Sequence, residues 1–375
     1  MKDFVAGRWV TRGSYRTFEP ERIARPWQVT DVGVQHLLSN ADRELGRLDM
    51  YSMHVPNLEL FIAMHVVKEA TQSSKIEGTW TRIEEAILDR EDVPVEKRDD
   101  WDGVQNYIAA LGHAVRAVDT IPFSSRLIRE AHRVLMRGVR GAHKAPGEFR
   151  KTQNWIGGAT IDDAVFVPPS PASVPDLMSD LERFVHDESI LLPDLLKIAL
   201  IHYQFETIHP FLDGNGRVGR LMILLYLVHR GILRRPILYI SDFFERNRSL
   251  YYDNLMRVRE KNDLAQWFRF FLAGVIETAR KGIATFDGIL KLQRDVDERV
   301  RRLGRRAGIA ATVMHRRYQR PIINATEVSR VAGVSMPTAY KLIEDFERIG
   351  ILREMTGARR GRMYLFGEYL ALFVE

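Results

Sequence analysis

The chain has 375 residues, enough for two or three domains at about 150 residues each, and its 45% hydrophobic and 28% charged residues describe an ordinary globular protein with a core. Cysteine is absent, which excludes a disulfide framework, a thiolate zinc site, an iron–sulfur cluster and a cysteine nucleophile together. Net charge is +6, but residues 301–375 carry 14 Lys/Arg against 7 Asp/Glu and leave the first 300 at −1, so the basic tail suits either a polyanion-binding module or a solubilising surface.

No stretch approaches the roughly 20 apolar residues that cross a bilayer. The longest apolar run, Leu221 to Val228, lies between Arg220 and His229-Arg230. Met1-Lys2-Asp3-Phe4 begins no apolar signal segment, so a cytoplasmic protein without membrane contact is expected.

In chain order, helical periodicity dominates. Amphipathic runs cover Leu58 to Lys68 and Trp101 to Val118, with a charged loop at 93–100 between helices. Ser124 is placed to cap a helix over Ser125 to Arg137. Around Ile161-Asp162-Asp163, the segments Asn154-Trp155-Ile156-Gly157-Gly158 and Ala164-Val165-Phe166-Val167 read as the arms of a hairpin-like flap, stopped by Pro168-Pro169. Helices are expected from Pro193 to about Glu206 and from Gly216 to about Arg230, the second apolar on every side and therefore central. After a charged helical connector, Asn324 and Ser335 are positioned to cap two short helices separated by Gly333. Two strands, Ile351 to Met355 and Met363 to Phe366, then flank a basic turn. That order is the plan of a winged helix-turn-helix.

The segment His209-Pro210-Phe211-Leu212-Asp213-Gly214-Asn215-Gly216-Arg217-Val218-Gly219-Arg220 joins the two central helices. Gly214 and Gly216 allow a tight turn and close ligand approach, and the amides that open the next helix favour an anion. Arg217 and Arg220, three apart, project over one spot. Asp213 offers one hard oxygen, which with phosphate oxygens and water suits Mg²⁺. His209 can exchange a proton near neutral pH and take it from an attacking hydroxyl. A base, a metal ligand, a phosphate nest and two arginines within twelve residues point to transfer of a phosphate-containing group from a nucleotide.

This string resembles the signature of the Fic family, His-Pro-Phe-x-Asp/Glu-Gly-Asn-Gly-Arg-x-x-Arg, at every specified position, whereas the Walker A pattern is missing. The resemblance covers the helical body through roughly residue 280 and implies a Fic-type helical core over 121–280 with the flap; with the pattern of the rest, the expectation is an all-α fold with an N-terminal helical subdomain over 1–120, a helical connector over 281–306 and the winged helix-turn-helix over 307–375. The resemblance also implies AMP transfer from ATP to a Ser, Thr or Tyr hydroxyl of a target protein or of the chain itself, with release of pyrophosphate. His209 would be the general base and Asp213 would hold Mg²⁺. Gly214, Asn215, Gly216, Arg217, Val218, Gly219 and Arg220 would surround the ATP phosphates, with Phe211 anchoring the loop. Trp155, Ile156, Gly157 and Gly158 of the flap would present the target by strand addition. His202 is expected to be a core or supporting residue.

Ser73-Ser74-Lys75-Ile76-Glu77-Gly78 resembles the inhibitory-helix motif of Fic proteins, Ser/Thr-x-x-x-Glu-Gly/Asn. It implies that Glu77, with Ser73 beside it, pairs with Arg220 and keeps the γ-phosphate out. Arg248-Ser249-Leu250-Tyr251-Tyr252 resembles the segment lining the adenine pocket, with Tyr251 and Tyr252 set either to stack on the base or to pack a helix. In the terminal module, Ser335, Thr338, Tyr340 and Lys341 would face a major groove, with Arg359, Arg360 and Arg362 near phosphates. Glu344, Asp345 and Glu347 on the same helix fit protein docking instead. A homodimer is compatible with the resemblance. The competing readings are a DNA-binding regulator whose Fic body only senses nucleotide, and an enzyme of this type moving UMP, phosphocholine or phosphate.

Overall fold

The computed structural model describes residues 4–55, 57–138, 143–357 and 361–374. It opens on an antiparallel hairpin, β1 (Gly7–Arg12) and β2 (Tyr15–Pro20), and not on helix as expected for residues 1–120. Arg12 pairs with Tyr15 across a two-residue turn, and Gly13 has the positive φ (67°) that such turns require. Arg8, Arg12 and Arg16, set among Trp9-Val10-Thr11 and Tyr15-Arg16-Thr17-Phe18, hide the strand period. Partners distant in sequence complete the apolar face. Phe18 meets Trp9 edge-on at 5.1 Å and Phe166 of the flap at 6.2 Å, and its amide donates to the Val167 carbonyl.

The body is a stack of helices. After α1 (Val32–Met53) come α2 (Leu58–Ile76), the one-turn α3 (Ile83–Ala86), α4 (Arg98–Ala117) and α5 (Ser125–Leu135). The Ser124 hydroxyl accepts from the Leu127 amide, as expected of the cap. Next come α6 (Val174–His186), α7 (Asp194–Ile208), α8 (Asn215–His229), α9 (Ser241–Arg246) and α10 (Arg248–Lys261). From Leu195 to Ile208 every residue of α7 is buried, and α8 is buried along nearly all its length. Both helices lack a polar face because neighbours surround them, which makes the loop between them a deep fixture.

One continuous helix, α11 (Leu264–Arg301), runs roughly 57 Å at 1.5 Å per residue through the position where the connector was expected to begin. Its buried residues Trp267, Phe271, Val275, Ala279, Phe286, Ile289, Val296 and Val300 recur at intervals of three, four or seven, and α1 lies along the helix. After α12 (Ala307–Arg317), strands β3 (Ile322–Asn324), β4 (Arg353–Glu354) and β5 (Met363–Leu365) form a sheet in the order β3-β5-β4. Between β3 and β4 stand α13 (Ala325–Ala332) and α14 (Met336–Arg348). The Asn324 side chain accepts from the Glu327 amide, and Gly333 ends α13 at φ 65°. A helix absent from the sequence reading, α15 (Gly367–Val374), docks Phe373 against His65 of α2 with ring centroids 5.0 Å apart. Arg320 adds a bond to the Ile87 carbonyl. Arg359 and Arg360 lie outside the described residues. Among the described residues no helix is long and apolar enough to cross a membrane.

Candidate active site

The loop between α7 and α8 is built around a reversal of the backbone. His209 takes a left-handed conformation (φ 50°, ψ 60°) at the end of α7, and Gly214 (φ 78°) does so before α8. At 214 the space is also closed, since a Cβ would stand 2.9 Å from Met136 Sδ. Asn215 clamps the turn by accepting from the Phe211 amide (2.8 Å) and donating to the Phe211 carbonyl (2.9 Å). Phe211 is fully buried as expected and stacks on His132 at 3.8 Å.

Two supports were not recognised from sequence. The buried Arg150 guanidinium donates to the carbonyls of His209 (2.9 Å), Ile208 (3.3 Å) and Pro169 (2.6 Å), so one cation ties the loop to the base of the flap. His132 accepts from the Gly147 amide at Nδ1 (2.8 Å) and therefore donates from Nε2 to the Asp213 carbonyl (2.9 Å). Burial pushes its pKa down to about 4. Neither residue lies in a motif.

The His209 ring is 17% exposed and its Nδ1 is buried without a hydrogen-bond partner. Burial, with the Arg150 and Arg259 guanidinium groups adding to it, lowers its pKa to about 3, so the imidazole is neutral across the physiological range. Asp213, by contrast, is half exposed, and one carboxylate oxygen accepts from the Gly214 amide at 2.5 Å. Among the described residues no three His, Cys, Asp or Glu converge on a metal position. A single accessible carboxylate nevertheless suits Mg²⁺, which takes most of its ligands from phosphate and water.

Arg220 is 2% exposed: Nε donates to Ser73 Oγ (2.9 Å), and Nη2 to the Ser73 carbonyl (2.8 Å) and Glu77 Oε1 (2.7 Å). Glu77 stands just beyond the last residue of α2, with its carboxylate over the start of α8. A Cβ on Gly216 would come within 2.1 Å of Glu77 Oε1. The carboxylate thus rests where a helix N-terminus attracts an anion. Arg217 lies 3.7 Å from Asp213, and its Nε is buried without a hydrogen-bond partner. Glu77, Asp213 and Arg217 share the wall of a cavity of about 180 Å³.

Some expected site residues lie elsewhere. Val218 is in the core, while the Gly219 carbonyl bonds His202 Nδ1 (3.0 Å) on the interior side of α8; neither faces the loop, because the helix turns them inward. Tyr251 is 1% exposed, with its hydroxyl on His202 Nε2 (2.8 Å) and its ring stacked on Phe244 at 4.5 Å, so it is a packing residue and offers no face to a base. Tyr252 is 36% exposed beside it. His202 is the buried supporting residue expected, held neutral with its pKa near 3 by burial. The flap is a hairpin with a single bridge pair, Ile156 and Phe166, and its tip is tied by Asp163 accepting from the amides of Ala159 and Thr160. Gly157 (φ 69°) and Gly158 (φ 73°) make the bend, and Trp155 is 41% exposed.

An all-helical body that sets an anion-ready helix start beside a histidine and two arginines is the Fic architecture. The Fic/DOC family N-terminal model matches residues 35–116 and the Fic/DOC family model matches residues 122–227, so the chain carries a Fic/DOC domain with that family's N-terminal region. It is 33% identical over 157 residues to Protein adenylyltransferase Fic of Drosophila erecta, a match covering 41% of this chain and 28% of that protein. The protein of the same name from Culex quinquefasciatus is 35% identical over 125 residues, covering 33% and 22%. The chain therefore spans under a third of the length of these relatives. A Fic family protein from Desulfovibrio desulfuricans shares the fold (TM-score 0.60, 20% identity, 91% of this chain and 98% of that one). So does a Fic domain containing signaling protein from Bacteroides thetaiotaomicron (TM-score 0.51, 20% identity, 68% and 97%).

Proposed function

We propose that the protein transfers AMP from ATP to a Ser, Thr or Tyr hydroxyl of a protein target, itself included, and that Glu77 holds it in an inhibited state. The observation that carries this reading is Glu77 Oε1, 2.7 Å from Arg220 and against the start of α8. A carboxylate there occupies the guanidinium that a terminal phosphate needs, stands over the first turn of α8, and repels that phosphate.

With Glu77 displaced, Arg220 and Arg217 would pair with phosphate oxygens, the turn from Gly214 to Gly216 would let the phosphates approach the backbone, and Asp213 would hold Mg²⁺. The metal would supply charge neutralisation on the phosphates. The target hydroxyl would give its proton to His209 Nε2 as its oxygen bonds the α-phosphorus, and the bond to pyrophosphate breaks. The flap would align the target chain by backbone pairing. Incubation with ATP and Mg²⁺ followed by intact-mass measurement tests the reading. An AMP-sized adduct that is enhanced by Glu77→Gly and absent from His209→Ala supports it. No adduct on the chain or on proteins of a cell lysate, even with Glu77→Gly, rejects it.

We propose in addition that residues 307–375 are a winged helix-turn-helix that meets duplex DNA. Supporting this are the three-stranded sheet beside α13 and α14, the exposed Ser335, Tyr340 and Lys341 at the start of α14, and the +7 balance of the terminal segment. Glu344 and Glu347 are exposed further along α14, whereas Asp345 is buried against Arg306. DNA affinity that falls steeply with salt supports this reading, and salt-independent binding rejects it.

A further inference from the structure

Glu206 is a carboxyl group that the chemistry above leaves unused. It stands on the last turn of α7, three residues before His209, and is 6% exposed with Oε1 buried and unpartnered. Its Oε2 lies 4.0 Å from His209 Nδ1, itself buried and unpartnered. A buried Nδ1 left unsatisfied is costly, and a closure of about 1 Å would bring it onto Glu206 Oε2, with the Glu206 main chain also beside the imidazole. Room for the carboxyl comes from Gly219 on α8, where a Cβ would stand 2.3 Å from Glu206 Oε1. Position 219 is one that the Fic signature leaves open, so the phosphate loop does not require glycine there.

The charged and titratable groups facing Glu206 are Arg220 from α8, Arg259, Tyr251 and Tyr252 from α10, Glu77 from the end of α2, and His209. Burial pushes the Glu206 carboxyl up to about 7; Arg220 and Arg259 oppose the rise and Glu77 adds to it. It therefore changes charge near neutral pH, whereas His209 titrates at about 3.

We infer that Glu206 is a positioning residue for His209: its carboxylate accepts the Nδ1 proton, leaves the Nε2 lone pair toward the reacting hydroxyl and stabilises the imidazolium formed there. The inference rests on the AMP-transfer reading. In the step, the hydroxyl proton moves to Nε2 and the Nδ1 proton stays on nitrogen, so Glu206 gains none. A histidine acting through one nitrogen needs the other held. The 4.0 Å separation is the loose geometry expected before substrate closes the site.

The test compares Glu206→Gln, Glu206→Asp and Gly219→Ala, each in a Glu77→Gly background. AMP transfer is expected to rise with pH through a limb that lies below the one set with Glu77 present, because Glu77 no longer adds to the upward push on the Glu206 carboxyl. Glu206→Gln should remove that limb and lower kcat about tenfold or more, with KM for ATP unchanged. Glu206→Asp should restore part of the rate, and Gly219→Ala, which displaces the carboxyl, should imitate the glutamine variant. Nitrogen NMR of the nucleotide-free protein reads the His209 tautomer directly: the Nδ1–H form is expected, and its loss in Glu206→Gln. An unchanged tautomer and an unchanged pH profile in Glu206→Gln overturn the inference while AMP transfer stands. If no form transfers AMP, the functional reading falls, and the tautomer alone decides whether Glu206 holds His209.

Discussion

Glu77 and Arg220 are 143 positions apart in the chain, yet their side chains meet at 2.7 Å, the carboxylate resting over the first turn of α8. Because Arg220 is buried and Glu77 is about one-third exposed, the arginine is the fixed member and the glutamate the one that can leave.

Replacing Glu77 by glycine should therefore free the site without dismantling it, since Ser73 still holds Arg220 through two bonds. Labelling from radioactive ATP is expected to rise about tenfold or more. The melting temperature should fall by an amount equivalent to about 1–3 kcal/mol, because a buried cation loses an anionic partner. Unchanged labelling, with ATP binding retained by calorimetry, would remove the inhibitory role.

Ser73→Ala should act in the same direction and more weakly. Its hydroxyl accepts from Arg220 Nε at 2.9 Å, and deletion should cost about 1 kcal/mol while loosening the guanidinium. A thermal melt beside a labelling assay reads both effects, and a variant as silent as the parent with lower stability would assign Ser73 to structure alone.

Arg150→Lys should separate the loop from the flap. A lysine cannot span the three carbonyls that the guanidinium joins, so we expect about 2–4 kcal/mol of destabilisation and near-complete loss of transfer. Denaturant melts and activity assays check this, and wild-type behaviour would show that the loop holds its own shape.

Stability should depend on pH from both sides. His209 has a depressed pKa, so its neutral form favours the fold above about 6.5, and that contribution is lost as pH falls toward 3. Glu206 has a raised pKa, so a penalty develops as pH rises from about 4.5 to 7 and is complete above that, on the order of 3 kcal/mol. Glu206→Gln should remove the alkaline decline and His209→Ala should soften the acid one. Melting curves from pH 4 to 9 decide; a glutamine variant that still loses stability between pH 5 and 8 as the parent does would place the penalty on another group.

Much of the site was legible because its residues are neighbours in sequence. His209 to Arg220 span one turn and the start of the next helix, so spacing alone brought the proposed base, metal ligand and arginines into one segment. The chain itself also determined the central helices, through apolar residues on every face, and the caps at Ser124 and Asn324, through side chains that bond amides three residues away. Tertiary structure alone decided the rest. Tyr251 became core because His202 and Phe244 arrive from other helices. The first hairpin is strand because Phe166 of the flap completes its apolar face. Arg150 matters through carbonyls it reaches across the fold, and the Glu206 carboxyl is pushed up because the fold buries it among groups from other helices. Local periodicity records only neighbours within a few residues. A charge on a buried side chain, by contrast, is settled by solvent exclusion and by groups that the folded chain brings from far away.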